Sequence, residues 1–139
     1  MPMKNTFPKT ERLFGVKRIE RLHTQGEAFI MYPFRIVFIL GNDESETIPV
    51  RAMVSVSKKK FRNAVDRNRI KRLMREVYRL NKSSLISNIA ENRQQLHLAF
   101  QYISDEILPF SDMNYRMQKA LGKLIKKISD KTESLHADN

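Results

Sequence analysis

The sequence has no cysteine, and only four of its 139 residues are glycine. Without cysteine the chain can form no disulfide, and it offers neither a thiol nucleophile nor a thiolate ligand for a metal ion. No apolar run approaches the roughly 20 residues that span a bilayer. The N-terminal stretch MPMKNTFPKTERLF also lacks the apolar segment of a secretory signal. We therefore expect a cytoplasmic protein that does not contact a membrane.

Residues that commonly carry catalysis or bind metals are equally sparse. The three histidines show no spacing typical of a metal site, and the few glycines form no phosphate-binding loop. Asp43, Glu44 and Glu46 lie in a polar stretch, which we interpret as a solvated loop and not as a cation site. We predict that the chain by itself has no catalytic residue and binds no metal.

Positive charge is concentrated in one segment of the chain. The formal net charge is +11. The segment from Arg51 to Lys82 contains twelve basic and two acidic residues, whereas the rest of the chain contains fourteen basic and thirteen acidic residues. A local block of this kind attracts a polyanion, and it favours nucleic acid as the partner over a membrane surface or a merely solvated face.

Hydrophobic spacing predicts one domain that combines helices and strands. A first helix is expected to end at Gly26, and strands are expected over residues 34–40, 48–57 and 96–103. A C-terminal helix should begin at a cap on Ser111 or Asp112 and end near Ile128, before a polar tail over residues 129–139. The fold class is therefore α/β (α+β), with an ordered core of about residues 7–128.

The stretch DRNRIKRLMREVYR, residues 66–79, predicts a helix with two distinct faces. At about 100° per residue, one arc of roughly 120° holds the apolar side chains. These are Ile70, Leu73, Met74, Val77 and Leu80. An adjoining arc of roughly 140° holds Tyr78 among basic and polar residues. These are Arg67, Asn68, Lys71, Arg72, Arg75 and Arg79. Solvated helices usually mix acids with bases at i±4, and here only Glu76 is placed to do so. We interpret the basic arc as a surface for a polyanion.

The segment VSVSKKKFRNAVDRNRIKRLMREVYR closely resembles the protein subunit of bacterial ribonuclease P, in which a strand ending in SVSKK precedes a basic helix of the RNR type. FPKTERL and YPFRIVF resemble the N-terminal region of that family, so the resemblance runs from about Phe7 to Ile128. The chain differs from many relatives at Arg62, where glycine is common. It also differs at Ile19 and His23, where the first helix often carries aromatic residues.

The resemblance implies a single RNA-binding domain, a sandwich of a small mixed sheet with helices, similar to domain 2 of ribosomal protein S5. It implies a left-handed βαβ connection through the basic helix. The implied function is that of a protein subunit of an endoribonuclease that removes the 5′ leader of precursor tRNA. In that family a catalytic RNA carries out hydrolysis with Mg²⁺ that is held mainly by the RNA. The expected partners are the catalytic RNA and precursor tRNA, with one copy of the chain in the ribonucleoprotein.

Two sets of site residues follow from the resemblance. The expected contacts with the catalytic RNA are Lys58, Lys59, Lys60, Arg67, Asn68, Arg69, Lys71, Arg72, Arg75 and Arg79. The expected leader-binding cleft is lined by Ile19, His23, Phe34, Val37 and Phe38, with ordinary core packing as the alternative for its apolar members. The alternative function is a ribosomal or other structural RNA-binding protein. A DNA-binding helix-turn-helix is disfavoured, because a strand pattern directly precedes the basic helix.

Overall fold

The computed structural model describes residues 6–41 and 46–137, with side chains of the last helix described as far as Glu133. The helices in this part of the chain are α1 (Val16–Gln25), α2 (Ala64–Asn81), α3 (Ser83–Glu91) and α4 (Phe110–Ala137). The strands are β1 (Glu27–Met31), β2 (Phe34–Gly41), β3 (Val50–Val56) and β4 (Gln95–Tyr102). A single turn of 3-10 helix, Lys9–Glu11, precedes α1.

The four strands form one mixed sheet in the order β1-β2-β4-β3. β1 pairs with β2 and β2 pairs with β4 in antiparallel fashion, whereas β3 and β4 are parallel. The parallel pair is connected through α2 and α3, as parallel strands require a crossover. This arrangement confirms the predicted α/β class with a small mixed sheet. The handedness of the crossover stays a prediction from the resemblance.

One face of the sheet carries the main core. Side chains alternate between the two faces along each strand, so Phe34, Ile36 and Phe38 of β2 point to the same side as Phe100 of β4. They pack with buried residues of α2, α3 and α4, and the rings of Phe34 and Phe100 lie 6.0 Å apart in an edge-to-face arrangement. Three helices therefore cover this face of the sheet.

The opposite face carries a smaller cluster beneath α1. Leu22 of α1 and Leu13 are buried against Val37 and Ala99. α1 ends where the chain must pass close to its own backbone. A Cβ atom on Gly26 would lie 2.3 Å from the carbonyl oxygen of Leu22, so only glycine fits there without a shift. The predicted end of α1 at Gly26 is confirmed.

The other predicted elements are confirmed with some differences. The strands β2, β3 and β4 and the basic helix α2 occur where they were expected, whereas β1 and α3 were not predicted. The prediction of an N-cap at Ser111 or Asp112 is wrong, because α4 begins at Phe110 and the amide of Met113 already donates to the carbonyl oxygen of Pro109 (3.0 Å).

The predicted end of α4 is also wrong. The helix continues past Ile128 to Ala137, so most of the predicted polar tail is helical. Two contacts from other parts of the chain reach this extension. Lys131 forms an ion pair with Glu27 at the start of β1, and the side chain of Gln94 donates to Thr132 (3.4 Å). A polar composition indicated fraying, but Lys131 and Thr132 make contacts with residues far away in the sequence.

Phe34 and Phe38 are fully buried in the main core, so their assignment to the leader cleft is corrected to the core alternative. We expect Phe34→Ala to lower the free energy of unfolding by about 3–5 kcal/mol, because it removes a large ring from a closely packed interior. Urea denaturation provides the measurement. Val65→Ala on the exposed side of α2 is the control and should change stability by less than about 0.5 kcal/mol. A loss below about 1 kcal/mol for Phe34→Ala would place this ring outside the core.

Candidate nucleic-acid interface

The orientation of α2 is set by its cap and its apolar stripe. The side chain of Asn63 accepts a hydrogen bond from the amide of Val65 (2.8 Å), which satisfies a free donor at the start of the helix. Ile70, Met74 and Val77 are completely buried against the sheet and α4. Because these residues fix which side of the helix faces inward, the basic residues on the other side are directed to solvent.

A groove lies between the basic side of α2 and the N-terminal segment, Thr6–Leu13. We call it the α2 groove. Its lining residues are Phe7, Arg12, Asn68, Lys71, Arg72, Arg75, Glu76 and Arg79. Five of them belong to the predicted set of RNA contacts, and the structure brings these five into one concave surface. The groove has five cationic side chains and one carboxylate, so it favours an anionic ligand.

Arg12 was not predicted as part of this site. The amide of Leu13 donates to the carbonyl oxygen of Ala52 (2.9 Å), which ties the N-terminal segment to β3. The guanidinium of Arg12 lies over the ring of Phe7, 5.3 Å from its centroid. Partial burial lowers the pKa of Arg75, and the nearby positive charge of Arg12 lowers it further. Two cations placed this close repel each other, and an anion between them would relieve the repulsion.

Lys82 anchors the N-terminal segment beside α2. Its side chain is almost completely buried, at 6% exposure. The ammonium donates to the carboxylate of Glu11 (2.7 Å) and to the carbonyl oxygen of Thr6, and it lies 5.8 Å from the ring of Phe7. The ring of Phe7 in turn packs edge-to-face on Tyr78 at 5.3 Å. A buried ammonium needs such partners, so Lys82 holds one wall of the α2 groove in position.

These contacts also correct the predicted position of Tyr78. Helical spacing placed this residue in the basic arc, but it is buried to 1% exposure. Its ring is covered by Phe7 on one side and packs against Phe100 of β4 on the other. The sequence pattern of α2 alone gave no sign that a distant segment covers this part of the helix.

Several predicted RNA contacts have partners within the chain. Arg67 donates to the carbonyl oxygens of Phe61 (2.7 Å) and Arg62 (2.8 Å), so it fixes the loop before α2. Arg79 binds the carboxylate of Glu76 at 2.6 Å. Lys60 donates to the carbonyl oxygen of Ile103 and lies 3.5 Å from the carboxylate of Asp105.

The remaining three predicted RNA contacts lie outside the α2 groove. Lys58, Lys59 and Arg69 are exposed, but they are not among the residues that line the α2 groove. The structure therefore divides the set into a groove-lining group, residues that hold the loop before α2, and exposed cations beside them.

The predicted leader cleft mixes residues from both sides of the sheet. Val37 is buried beneath α1, Ile19 is partly buried there, and His23 is exposed.

The same side of the sheet has an uncovered part beyond α1, which we call the open sheet face. Its members are Ile30, Arg35 and Gln101. Ile30 is 60% exposed, and Arg35 is exposed and donates to the side-chain oxygen of Gln101 (2.8 Å). Of the five predicted residues, Ile19 and His23 lie on the α1 helix that borders this face.

The polar cluster near the end of β2 is held by ion pairs. Glu46 binds Arg51 at 3.0 Å and Arg18 at 3.5 Å, and the hydrogen bond from Arg51 is the main reason why the pKa of Glu46 is lowered. Burial lowers the pKa of the neighbouring His97, so this imidazole is neutral at pH 7. Asp43 and Glu44 of the predicted acidic loop lie outside the described residues.

The described ranges, 6–41 and 46–137, hold no group of three His, Asp or Glu side chains that is arranged to bind a metal ion. No helix in the same ranges has the length and apolar character needed to cross a membrane.

A mixed sheet with a basic groove on its helical side defines an α/β protein with a surface suited to an anionic ligand. The ribonuclease P family model matches residues 7–128. The chain is 42% identical to the ribonuclease P protein component of Porphyromonas gingivalis over 113 residues, which cover 81% of this chain and 82% of the relative. It is 39% identical to the ribonuclease P protein component of Desulforapulum autotrophicum, with 88% of this chain and 92% of the relative covered. The chain therefore belongs to the ribonuclease P protein family.

Solved structures support the same fold. The ribonuclease P protein from Thermotoga maritima aligns with a TM-score of 0.63 at 19% identity, covering 81% of this chain and 96% of that one. The ribonuclease P protein from Staphylococcus aureus aligns with a TM-score of 0.58 at 22% identity, covering 91% and 94%. As a member of this family the chain is the protein component of an endoribonuclease ribonucleoprotein in tRNA processing, and its partner is the ribonuclease P RNA.

The anchoring role of Lys82 can be measured. Lys82→Met removes the ammonium and leaves the Glu11 carboxylate without its partner. We expect a loss of about 3 kcal/mol in the free energy of unfolding, at the low end for a broken buried pair because Glu11 keeps some contact with water. Glu11→Gln combined with Lys82→Met should lose less than the sum of the two single variants. Urea denaturation measures all three, with Lys17→Met on the exposed side of α1 as the control. Additive losses would show that the pair does not anchor the segment.

Proposed function

We propose that the α2 groove binds the phosphate backbone of the ribonuclease P RNA. The observation that carries this proposal is the placement of Arg12 beside Arg75, with Lys71 and Arg72 on the same surface. Four cations converge there from two separate parts of the chain, although their mutual repulsion works against folding. A bound phosphate backbone offsets that repulsion and releases its own counter-ions.

The residue types in the groove suit backbone contact. Arginine presents a planar fork that binds two phosphate oxygens at once, and lysine adds a mobile point charge. Asn68 supplies a directional hydrogen bond from the same wall of the groove. Contacts of this kind position a protein on RNA without reading its sequence, which fits a partner recognised by shape.

We further propose that the open sheet face and the adjoining α1 residues Ile19 and His23 receive the single-stranded 5′ leader of precursor tRNA. An exposed apolar side chain, Ile30, lies there on β1 directly opposite Arg35 of β2. Unpaired bases stack on guanidinium and apolar surfaces without strict sequence preference. Because the sheet itself separates this face from the side covered by α2, α3 and α4, the chain can hold the catalytic RNA and the leader at the same time.

The proposed division of labour leaves hydrolysis to the RNA. Mg²⁺ in the ribonucleoprotein would be held mainly by RNA phosphates, because the described residues supply no cluster of metal ligands. The chain would contribute binding energy and screening of phosphate repulsion near that site. We propose that one copy of the chain acts in each ribonucleoprotein and that the particle works in the cytoplasm.

The groove assignment is tested by removing two of its charges. Arg72→Gln with Arg75→Gln should weaken binding to the ribonuclease P RNA and make the plot of log affinity against log salt shallower by about one to two units. The fold should survive, because both side chains are exposed and glutamine is a good helix former. Filter binding across a salt series gives the slope.

A matched control distinguishes the effect of charges in the α2 groove from the effect of the net charge of the protein. Lys17→Gln with Arg93→Asn also removes two exposed cations, and asparagine tolerates the positive φ of 53° at position 93. This control should leave the slope nearly unchanged. Equal slopes for the two double variants would show that the α2 groove does not hold RNA phosphates.

The leader assignment predicts a loss of affinity only for tRNA that carries a leader. Arg35→Ala should reduce the affinity of the assembled ribonucleoprotein for leader-bearing precursor tRNA by roughly tenfold, near the low end of stacking contributions. Its affinity for mature tRNA should stay the same, because mature tRNA has no leader. Arg93→Asn removes a cation before the start of β4, at the end of that strand away from Gln101, and serves as the control. An equal loss of affinity for both RNAs would show that the leader does not bind the open sheet face.

A further inference from the structure

A second cationic surface lies on α4, outside every residue discussed so far as an RNA contact. Between Met113 and Ser129 the helix has five basic residues and no acid. Three of them, Lys119, Lys123 and Lys127, recur at intervals of four residues. At a rise of 1.5 Å per residue, their Cα atoms follow one flank of the helix at steps of about 6 Å along its axis. We call these three residues the α4 ladder.

Aromatic rings hold the α4 ladder in position. Lys119 lies 5.4 Å from the ring centroid of Tyr115, one helical turn earlier. Lys123 and Lys127 both lie over the ring of Phe29 in β1, at 5.3 Å and 5.4 Å. Cation–π contacts of this kind restrain otherwise mobile side chains. A restrained lysine loses less conformational entropy when it binds a ligand, so these lysines are better prepared for binding than freely solvated ones.

The α4 ladder and the α2 groove lie at opposite edges of the molecule. Phe29, which supports the ladder, belongs to β1 at one edge of the sheet, whereas the segment that lines the groove is tied to β3 at the other edge. Both surfaces belong to the helical side of the sheet, since α2 and α4 pack against the same core. One contact point on a ligand therefore cannot reach both surfaces at once.

We infer that the α4 ladder is a second contact surface for the phosphate backbone of the ribonuclease P RNA, binding a segment distinct from the one in the α2 groove. This inference rests on the proposed function, in which the chain binds the phosphate backbone of that RNA. Lysines present point charges and not forks, so the ladder fits a run of phosphates and does not read bases. Two surfaces on one side of the domain would fix its orientation on a large folded RNA, which a single groove leaves free to pivot.

The chemistry of α4 argues against a membrane as the ligand. A helix that lies on a membrane needs an apolar face free to enter the lipid. The apolar face of α4 is already committed to the core, where Met113, Met117 and Leu124 are completely buried. With charges but no free apolar face, the surface favours a hydrophilic polyanion.

The first experiment compares salt dependence among charge-matched variants. Lys119→Gln with Lys123→Gln should make the slope of log affinity for the ribonuclease P RNA shallower by about one to two units. Lys17→Gln with Arg93→Asn removes the same charge elsewhere and should leave the slope nearly unchanged. Combining the ladder variant with Arg72→Gln and Arg75→Gln should give the sum of the two changes, because the surfaces are separate.

The second experiment locates the bound RNA segments. The chain has no cysteine, so a single introduced cysteine can carry a tethered cleavage reagent. Gln118→Cys places the reagent beside the α4 ladder, and Val65→Cys places it at the start of α2; both positions are exposed. We expect each protein to cut the ribonuclease P RNA at a different segment. At protein concentrations that saturate the RNA, ladder substitutions should weaken the cuts made from position 118 and leave those made from position 65.

The outcomes separate this inference from the proposed function. A reduced slope for the groove variant with an unchanged slope for the ladder variant would overturn the α4 inference and leave the groove assignment intact. Unchanged slopes for both would reject the groove as well. A ladder variant that loses affinity only for precursor tRNA, with normal binding to the ribonuclease P RNA, would also overturn the inference, because the ladder would then contact the substrate.

Discussion

The arrangement of this protein depends on the burial of the apolar stripe of α2 against the sheet. Ile70, Met74 and Val77 are completely buried, and together their burial contributes several kcal/mol. This outweighs the repulsion among exposed arginines, which costs a few tenths of a kcal/mol for each close pair. The helix cannot rotate to separate its charges without exposing that stripe. A rigid cationic surface therefore follows from a packing constraint.

A second layer of organisation comes from the N-terminal segment. The helix supplies only one wall of the α2 groove, and the other wall is formed by residues more than fifty positions earlier in the chain. The segment is tied at both ends, to β3 through the amide of Leu13 and to α2 through Lys82. Burying an ammonium is costly unless it is paired. Once paired, it specifies one position for the segment and places Arg12 beside Arg75.

The two faces of the sheet separate the surfaces that bear on function. α2, α3 and α4 share the main core on one side of the sheet. The cations that α2 contributes to the groove and the lysines of the α4 ladder therefore lie on that side. α1 covers only part of the other side, and the open sheet face remains beyond it. The proposed function assigns the ribonuclease P RNA to one side of the sheet and the leader to the other, so under that proposal the two RNAs do not compete for the same residues.

The sequence by itself determined the elements with strong periodicity and the location of the charge. The 3.6-residue spacing predicted α2, and strand patterns predicted β2, β3 and β4, because local periodicity reflects which side of an element is buried. The short edge strand β1 lacked such a signal, whereas α3 carries helical spacing at Leu85, Ile86 and Ile89 from which no helix was predicted. Only the tertiary structure decided which side of β2 is covered by which helix, and this moved Phe34 and Phe38 from the predicted cleft into the core. It likewise buried Tyr78 and brought Arg12 into the α2 groove. Such outcomes depend on contacts between residues far apart in the chain, and the spacing within one segment carries no information about them.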